Sequence, residues 1–414
     1  MFLSSSVFAQ DFVPGEVLVK FKSLKNASTA LKALQFMKTI GTVQEELAVN
    51  GSLYFHLKLK EKNTLAALEK IKSNPLVQWA EPNYIYTVQG FQDGPALKHV
   101  PHDELFSNLW GLDNATKTDI GAVAAWDVEQ GSKDIKVAVI DTGIDYNHQD
   151  LKDQMWTNDA EANGTEGVDD DKNGVIDDVH GAAFLSGKVS GNPLDDHSHG
   201  THCAGTIGAQ HDDKGVAGVM GHVSFVAVKF LSKEGAGSTA DAVKAIQYAT
   251  SVGVNIMSNS WGGGGFSQAL EDAIKEANAK GIIFVAAAGN SSLNNDVSAN
   301  YPSNYNVNNI IAVGAYSVDD KVATFSNYGK TKVHVFAPGV KIWSSVLNNL
   351  YASYSGTSMA TPHTAGVVGL YLSKFPDASI DEVKANLMET TVKSPAFADK
   401  AISSGRINVA NLLQ

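Results

Sequence analysis

Cysteine is nearly absent. Cys203 stands alone among 414 residues, which excludes an internal disulfide and leaves no signal of redox compartment. Positive charge is also short: 32 Lys and Arg face 44 Asp and Glu, a formal net charge of -12. That balance argues against nucleic acid or an anionic membrane as partner, because both need a basic surface. An acidic surface suits cations instead. No apolar run approaches the length of a membrane span. Neither an HExxH pattern nor a cysteine pair is present, so the histidines with acidic neighbours do not make a zinc site.

What remains is the composition of a soluble globular chain, 43% hydrophobic and 18% charged, with enough apolar mass for a large core. The length exceeds one ordinary domain, so a large domain with a smaller companion is expected. The 37 Gly cluster in the second half, as loops crowding a site require. Residues 1–10 are apolar and small, with Val7 and Ala9 placed for signal cleavage before Gln10. They lack a basic start, so the segment is read as a clipped signal peptide.

From Val13 the chain alternates. Val17–Lys22 reads as a strand opened by Pro14-Gly15, 30–37 and 64–71 have helical spacing, and 53–59 and 77–80 read as strands. This makes a small β-α-β-α-β domain over 11–88, followed by a linker, 89–102, containing Gly90, Gly94, Pro95 and Pro101. Beyond it, over 103–414, short wholly apolar strands at 135–140, 226–228, 254–257 and 282–287 alternate with helices at 239–250 and 268–279. Strands apolar on both faces imply a mainly parallel sheet covered by helices on both sides, an α/β three-layer fold. Chemistry in such sheets lies beyond the strand C-termini.

The strand ends carry the candidates. Asp141 follows the strand ending at Ile140, His199 lies in a His-rich stretch, and Ala286-Ala287-Ala288-Gly289-Asn290 ends another strand. Ser358 lies in Gly356-Thr357-Ser358-Met359-Ala360-Thr361-Pro362-His363, ahead of an apolar run that reads as a buried helix. Pro362 is expected in that helix's first turn, where its missing N–H costs little. Unpaired N–H groups there favour an oxyanion, although a capping serine is the commoner fate of such a residue. A carboxylate, an imidazole and a hydroxyl are what nucleophilic acyl transfer requires, with an Asn amide as a second oxyanion donor. On residue type alone His197, His202 and His222 compete with His199, and Asp141 is equally a helix cap.

The stretches Ala138-Val139-Ile140-Asp141-Thr142-Gly143, His199-Gly200-Thr201-His202 and Gly356–His363 resemble, in this order, the three signatures of the subtilisin-like serine peptidases, the subtilases. The resemblance runs from Trp110 to Leu412 and implies a serine endopeptidase with Asp141, His199 and Ser358 as triad and Asn290 as oxyanion donor. It also implies that Ser260, Trp261 and Gly262 on one edge, and Gly235, Ala236 and Gly237 on the other, bind substrate as an extended strand. Residues 11–88 resemble the family's inhibitory propeptide, with 79–84 similar to its end. The expected partners are polypeptide substrates and the chain's own propeptide, with no nucleic acid, no membrane and a monomeric state. The expected location is extracellular. An inactive peptide-binding scaffold is the alternative. An α/β-hydrolase is disfavoured because Ala360 replaces the last Gly of Gly-x-Ser-x-Gly.

The loop from Asp169 to Asp178 sets oxygen ligands at alternate positions around Gly174, as an EF-hand loop does, but His180 stands where that loop needs Glu. Asp169, Asp171, Asn173 and Asp177 are the calcium ligands it suggests. A second calcium site at Asp150 and Asp212, joined by Asp103, is implied by the family resemblance alone. Cys203, beside His202 on the same apolar stretch, is expected to be buried close to His199.

Overall fold

The computed structural model describes residues 11–22, 24, 27–93 and 103–414, the side chains of 103 and 104 excepted. The proposed leader 1–10, most of the linker and the Asp103 carboxylate lie outside the described residues.

The small domain runs β1 (Phe12–Phe21), α1 (Ala27–Ile40), β2 (Gly41–Val49), β3 (Ser52–Leu59), α2 (Thr64–Lys72) and β4 (Val77–Val88). Its antiparallel sheet has the order β4-β1-β3-β2. The period-2 alternation of β1 decides what each face meets. Val17, Val19 and Phe21 pack with Ala33, Met37, Leu68 and Ile71 of the domain's own helices. Leu18 points the other way, with Leu47, Val49 and Tyr54, into the core of the large domain.

Two expectations are corrected here. Strand β2 was not anticipated, because Gln44, Glu45 and Glu46 interrupt its apolar pattern. A bulge between Val43 and Glu45 shifts its register as well. Strand β4 runs to Val88 rather than stopping at Ala80, since its second half pairs with the large domain.

After β5 (Phe91–Gln92), the large domain comprises α3 (Ala122–Trp126), β6 (Gly131–Asp141), α4 (Asp159–Ala162), β7 (Gly181–Leu185), β8 (Lys188–Ser190), α5 (His199–Gly208), β9 (His222–Lys229) and β10 (Ala236–Ser238). There follow α6 (Thr239–Val252), β11 (Ile256–Asn259), β12 (Trp261–Gly262), α7 (Gln268–Ala279), β13 (Ile283–Ala287), β14 (Ile310–Ser317), β15 (Lys321–Val322), β16 (Val335–Pro338), β17 (Ile342–Val346), β18 (Leu350–Ser355) and α8 (Thr357–Lys374). Strands β16-β14-β13-β11-β6-β9-β7 form a continuous parallel sheet. Val137 and Val139 face the layer holding α5 and α8, while Ala138 and Ile140 face that holding α6 and α7. This is the three-layer fold anticipated. The sheet extends through β14 and β16, beyond the strands legible in the sequence.

The small domain lies on α6 and α7 and adds polar groups at their N-termini beside the Ser238 and Ser267 caps. Asn83 Oδ1 accepts from Ala240 N at 3.2 Å. Glu81 accepts from Ser267 Oγ at 2.7 Å and Gln268 N at 2.9 Å. Tyr54 donates to Asp272 at 2.8 Å.

Candidate active site

Asp141 is the last residue of β6, and His199 opens α5, both fully buried. His199 Nδ1 lies 2.8 Å from Asp141 Oδ1, which also accepts from Thr142 N at 2.7 Å. A second buried carboxylate fixes this corner: Asp195 accepts from Thr142 Oγ1 at 2.9 Å and Thr201 Oγ1 at 2.6 Å. Thr142 Oγ1 in turn accepts from Gly200 N at 2.9 Å. Burial pushes the Asp195 carboxyl up, and these donors pull it back. Among the described residues His199 Nε2 has no hydrogen-bond partner.

Ser358 is the second residue of α8, and its hydroxyl donates to Ser260 O at 2.8 Å. Pro362 corrects an expectation: it lies in the helix's second turn, not the first. A proline there leaves the carbonyl four residues earlier without its helical partner. That carbonyl belongs to Ser358, and it accepts from Ser260 Oγ at 2.9 Å and from the Cys203 thiol at 3.6 Å. The buried Cys203 thus helps satisfy the serine's own backbone. Its thiol is pushed well up by burial and is inert at ordinary pH.

Asn290 follows β13. Its Oδ1 accepts from Thr357 N and Thr357 Oγ1, each at 2.9 Å, which leaves Nδ2 as the free donor. A Cβ added to Gly356 would lie 3.2 Å from that Nδ2. The amide nitrogen and the Ser358 N–H therefore flank one spot at the head of α8. Thr357, which orients this amide, was not singled out from the sequence.

The six residues expected to bind substrate all flank β4. Ala236 pairs with Thr87 and Gly237 with Tyr86 on one edge, while Trp261 pairs with Val88 and Gly262 with Thr87 on the other. Val88 N donates to Gly235 O at 3.0 Å, and Gln89 N to Ser260 O at 3.1 Å. Tyr86 is wholly buried, 5.3 Å from the Trp261 ring, which packs on Phe230 at 4.8 Å. The strand delivers the Gln89 carbonyl to Ser358, whose N–H donates to it at 2.9 Å. The end of the small domain thus lies as an extended strand between the two edges.

The subtilase family model matches residues 132–406, which include Asp141, His199, Asn290 and Ser358. The chain belongs to the subtilase family. A fervidolysin N-terminal prodomain model matches residues 3–83. The chain is 36% identical over 364 residues to a thermophilic serine proteinase of Bacillus sp. (strain AK1), covering 88% of this chain and 79% of that one. It is 39% identical over 264 residues to subtilisin DY of Bacillus licheniformis, covering 63% and 85% respectively. The crystal structure of fervidolysin from Fervidobacterium pennivorans, a keratinolytic enzyme related to subtilisin, superposes with a TM-score of 0.74 at 27% identity. That match covers 99% of this chain and 62% of fervidolysin. The protein is a subtilisin-like serine peptidase with a fervidolysin-like prodomain.

The acidic loop of this subtilase is assembled differently from the sequence expectation. Carboxylate oxygens of Asp171, Glu161 and Asp178 lie within 4.8 Å of one another. Asp169 instead accepts from Asn173 N at 3.1 Å and Gly174 N at 3.0 Å, and Asp177 from Gly167 N at 3.0 Å. The amide nitrogens of Asn158 and Asn173 each donate to both Asp171 and Asp178. Glu161 and Asp178 were not among the residues named from the sequence, because one lies eight residues before the acidic run and the other was counted as its end. Burial pushes the Asp178 carboxyl up. Elsewhere, buried Asp150 accepts from Tyr351 Oη at 2.9 Å and Val216 N at 3.1 Å. Asp212 meets Lys214 at 3.1 Å through one oxygen, while among the described residues the other is buried without a partner.

Proposed function

We propose that this subtilase is a secreted serine endopeptidase made as a self-processing zymogen. Asp141, His199 and Ser358 act as its triad and Asn290 as an oxyanion donor. The observation that carries the reading is the Gln89 carbonyl held by the Ser358 N–H, beside the Asp141–His199 pair. In the reaction His199 Nε2 takes the Ser358 proton, the Oγ attacks a peptide carbonyl, and the negative oxygen is met by Ser358 N–H and Asn290 Nδ2. Asp141 holds the imidazole and stabilises its cation. The serine hydroxyl must first turn from Ser260 O towards His199.

The prodomain inhibits by filling the acyl side of the cleft as a strand. Secretion is supported by the zymogen organisation itself. Calcium is the proposed structural ion, since all-oxygen carboxylate clusters suit a hard cation. At Glu161, Asp171 and Asp178 the Asn158 and Asn173 amides would turn their oxygens inward to join it. Asp150 and Asp212, one of whose oxygens has no partner among the described residues, are candidates for the second site.

Ser358→Ala tests the reading. Loss of the nucleophile costs about 10⁶ in kcat in subtilisin, the source of that figure. The variant should remain full length and take up no fluorophosphonate. Continued self-cleavage by that variant would overturn the triad, and an unlabelled, uncut wild type would favour the peptide-binding scaffold.

A further inference from the structure

We propose that the bond this chain cuts in itself is Gln89–Gly90, and that the cleft selects it on the leaving side as well as the acyl side. The inference rests on Ser358 as nucleophile. It adds which bond is cut and which residues choose it.

Register decides the acyl side. The hydrogen bonds of β4 with its two flanking edges end at Gln89 N, one atom group before the carbonyl bound by Ser358. Slipping the strand by one residue would swing Tyr86 out of its enclosed pocket and turn every side chain to the opposite face. The helix entry is shaped for this carbonyl too: a Cβ on Gly356 would lie 2.4 Å from Gln89 O.

The leaving side is equally built. A Cβ on Gly90 would lie 3.0 Å from Met359 Sδ and 3.2 Å from both His199 Nε2 and Ser358 Cβ. Base and nucleophile therefore close on residue 90 so tightly that only glycine fits without displacement. Beyond it, Phe91 pairs with Ser355 and Gln92 with Tyr354 of β18. The Phe91 ring meets Phe325 edge-on at 5.6 Å. Asp93 N donates to Ser353 O at 2.7 Å, and its carboxylate accepts from Ser355 Oγ at 2.7 Å and Ser353 Oγ at 3.2 Å. Glycine, an aromatic ring and an acid at the third following position are read together.

The step balances. Ser358 Oγ bonds to the Gln89 carbonyl carbon as its proton passes to His199 Nε2. The C–N bond to Gly90 then breaks, and His199 gives that proton to the departing Gly90 amine. Water cleaves the ester, leaving Gln89 as a carboxylate and restoring the serine. The products are a prodomain ending at Gln89 and a chain beginning Gly90-Phe91-Gln92-Asp93.

The test follows the first cut in the full chain by N-terminal sequencing and by intact mass of the released prodomain. Gly90 as first residue and Gln89 as last are expected. Gly90→Val should slow this cut at least tenfold, and Asp93→Asn by a few-fold. Quenched peptides spanning Tyr86 to Asp93, with the same changes and offered to activated enzyme, should show the same ranking without any question of folding. A first cut at another bond that Ser358→Ala still abolishes would overturn this proposal and leave the peptidase reading standing. A Gly90→Val chain and peptide cut as fast as their Gly90 counterparts would overturn the leaving-side selection. An absent cut together with an unlabelled Ser358 would instead bring down the peptidase reading.

Discussion

The two domains make specific contact in different ways. In the large domain, side chains at strand and helix ends converge: Asp141 closes β6, His199 opens α5, Ser358 opens α8 and Asn290 follows β13. Each is fixed by a named neighbour, and each sits where a parallel sheet leaves a crevice. In the prodomain, β4 enters the cleft mainly through its backbone, paired to β10 and β12. Its side chains act at a distance, with Glu81 and Asn83 anchoring helix N-termini and Tyr86 filling a pocket. On the proposed reading, one domain holds the means of reaction, and the other supplies a body that fits it. Perturbations of each should therefore read out separately, as rate or as inhibition.

The largest expected separation comes from Asn290→Ala. Removing one oxyanion donor costs about 10²–10³ in kcat, a magnitude measured for the corresponding donor in subtilisin. The loss should appear in kcat with little change in KM, because the donor meets charge that develops only in the transition state. Prodomain affinity should fall far less. A KM effect of the same size would mean that Asn290 binds the ground state and that the division between the domains is less clean.

That division also explains what was legible in the sequence. The large domain's strands were visible because burial on both faces writes continuous apolar runs, as in Ile283–Ala287. Its site residues were visible as residue types at run ends, yet choosing His199 over its neighbours needed the family pattern. The structure supplies a physical contrast: His202 Nε2 donates to the Ile342 and Ala352 carbonyls, whereas among the described residues His199 Nε2 has no partner. The His202 pKa is pushed down to about 3 by desolvation. Backbone-borne function left less trace. Nothing in Thr87-Val88-Gln89-Gly90 announces a strand in a cleft, because edge pairing uses groups that every residue has. Pro362 misled for a related reason, since its cost is removed by Ser260 and Cys203, which are far off in sequence.

Glu81→Gln sharpens the comparison from the inhibitor's side, with a smaller effect. The Glu81 carboxylate is buried, accepting from Trp79 Nε1 at 2.5 Å besides Ser267 and Gln268. Burial pushes its carboxyl up while these donors pull the other way. An amide would set an NH₂ against donors and discard a charge-assisted bond worth about 1.5–3 kcal/mol. The released prodomain variant should inhibit the processed enzyme at least about tenfold more weakly. The enzyme's own kcat, measured after dilution from the inhibitor, should not change. A lower kcat would show that this anchor also shapes the site.

Chelation should affect neither reading directly, and this makes it the most discriminating small effect. The Glu161, Asp171 and Asp178 carboxylates crowd within 4.8 Å, between Asp141 and His199 in the sequence but with no hydrogen bond to either among the described residues. Like charges so close repel unless a proton or a cation sits among them; burial first, and the Asp171 charge to a lesser degree, push the Asp178 carboxyl up. A cation bound only by the folded chain stabilises it by RT ln(1 + [L]/Kd), about 2.7 kcal/mol when the cation is at 100 times Kd. EDTA should therefore lower the melting temperature of the uncut Ser358→Ala chain, and calcium but not magnesium should restore it, since magnesium sheds its waters reluctantly. Asp171→Asn should lower the calcium-supported melting temperature and shrink the EDTA effect, whereas Asp177→Asn should leave that effect nearly intact. Initial rates of active enzyme in the cold should stay constant throughout. An unchanged melting temperature, with no calcium retained after dialysis, would leave the cluster held by the Asn158 and Asn173 amides alone.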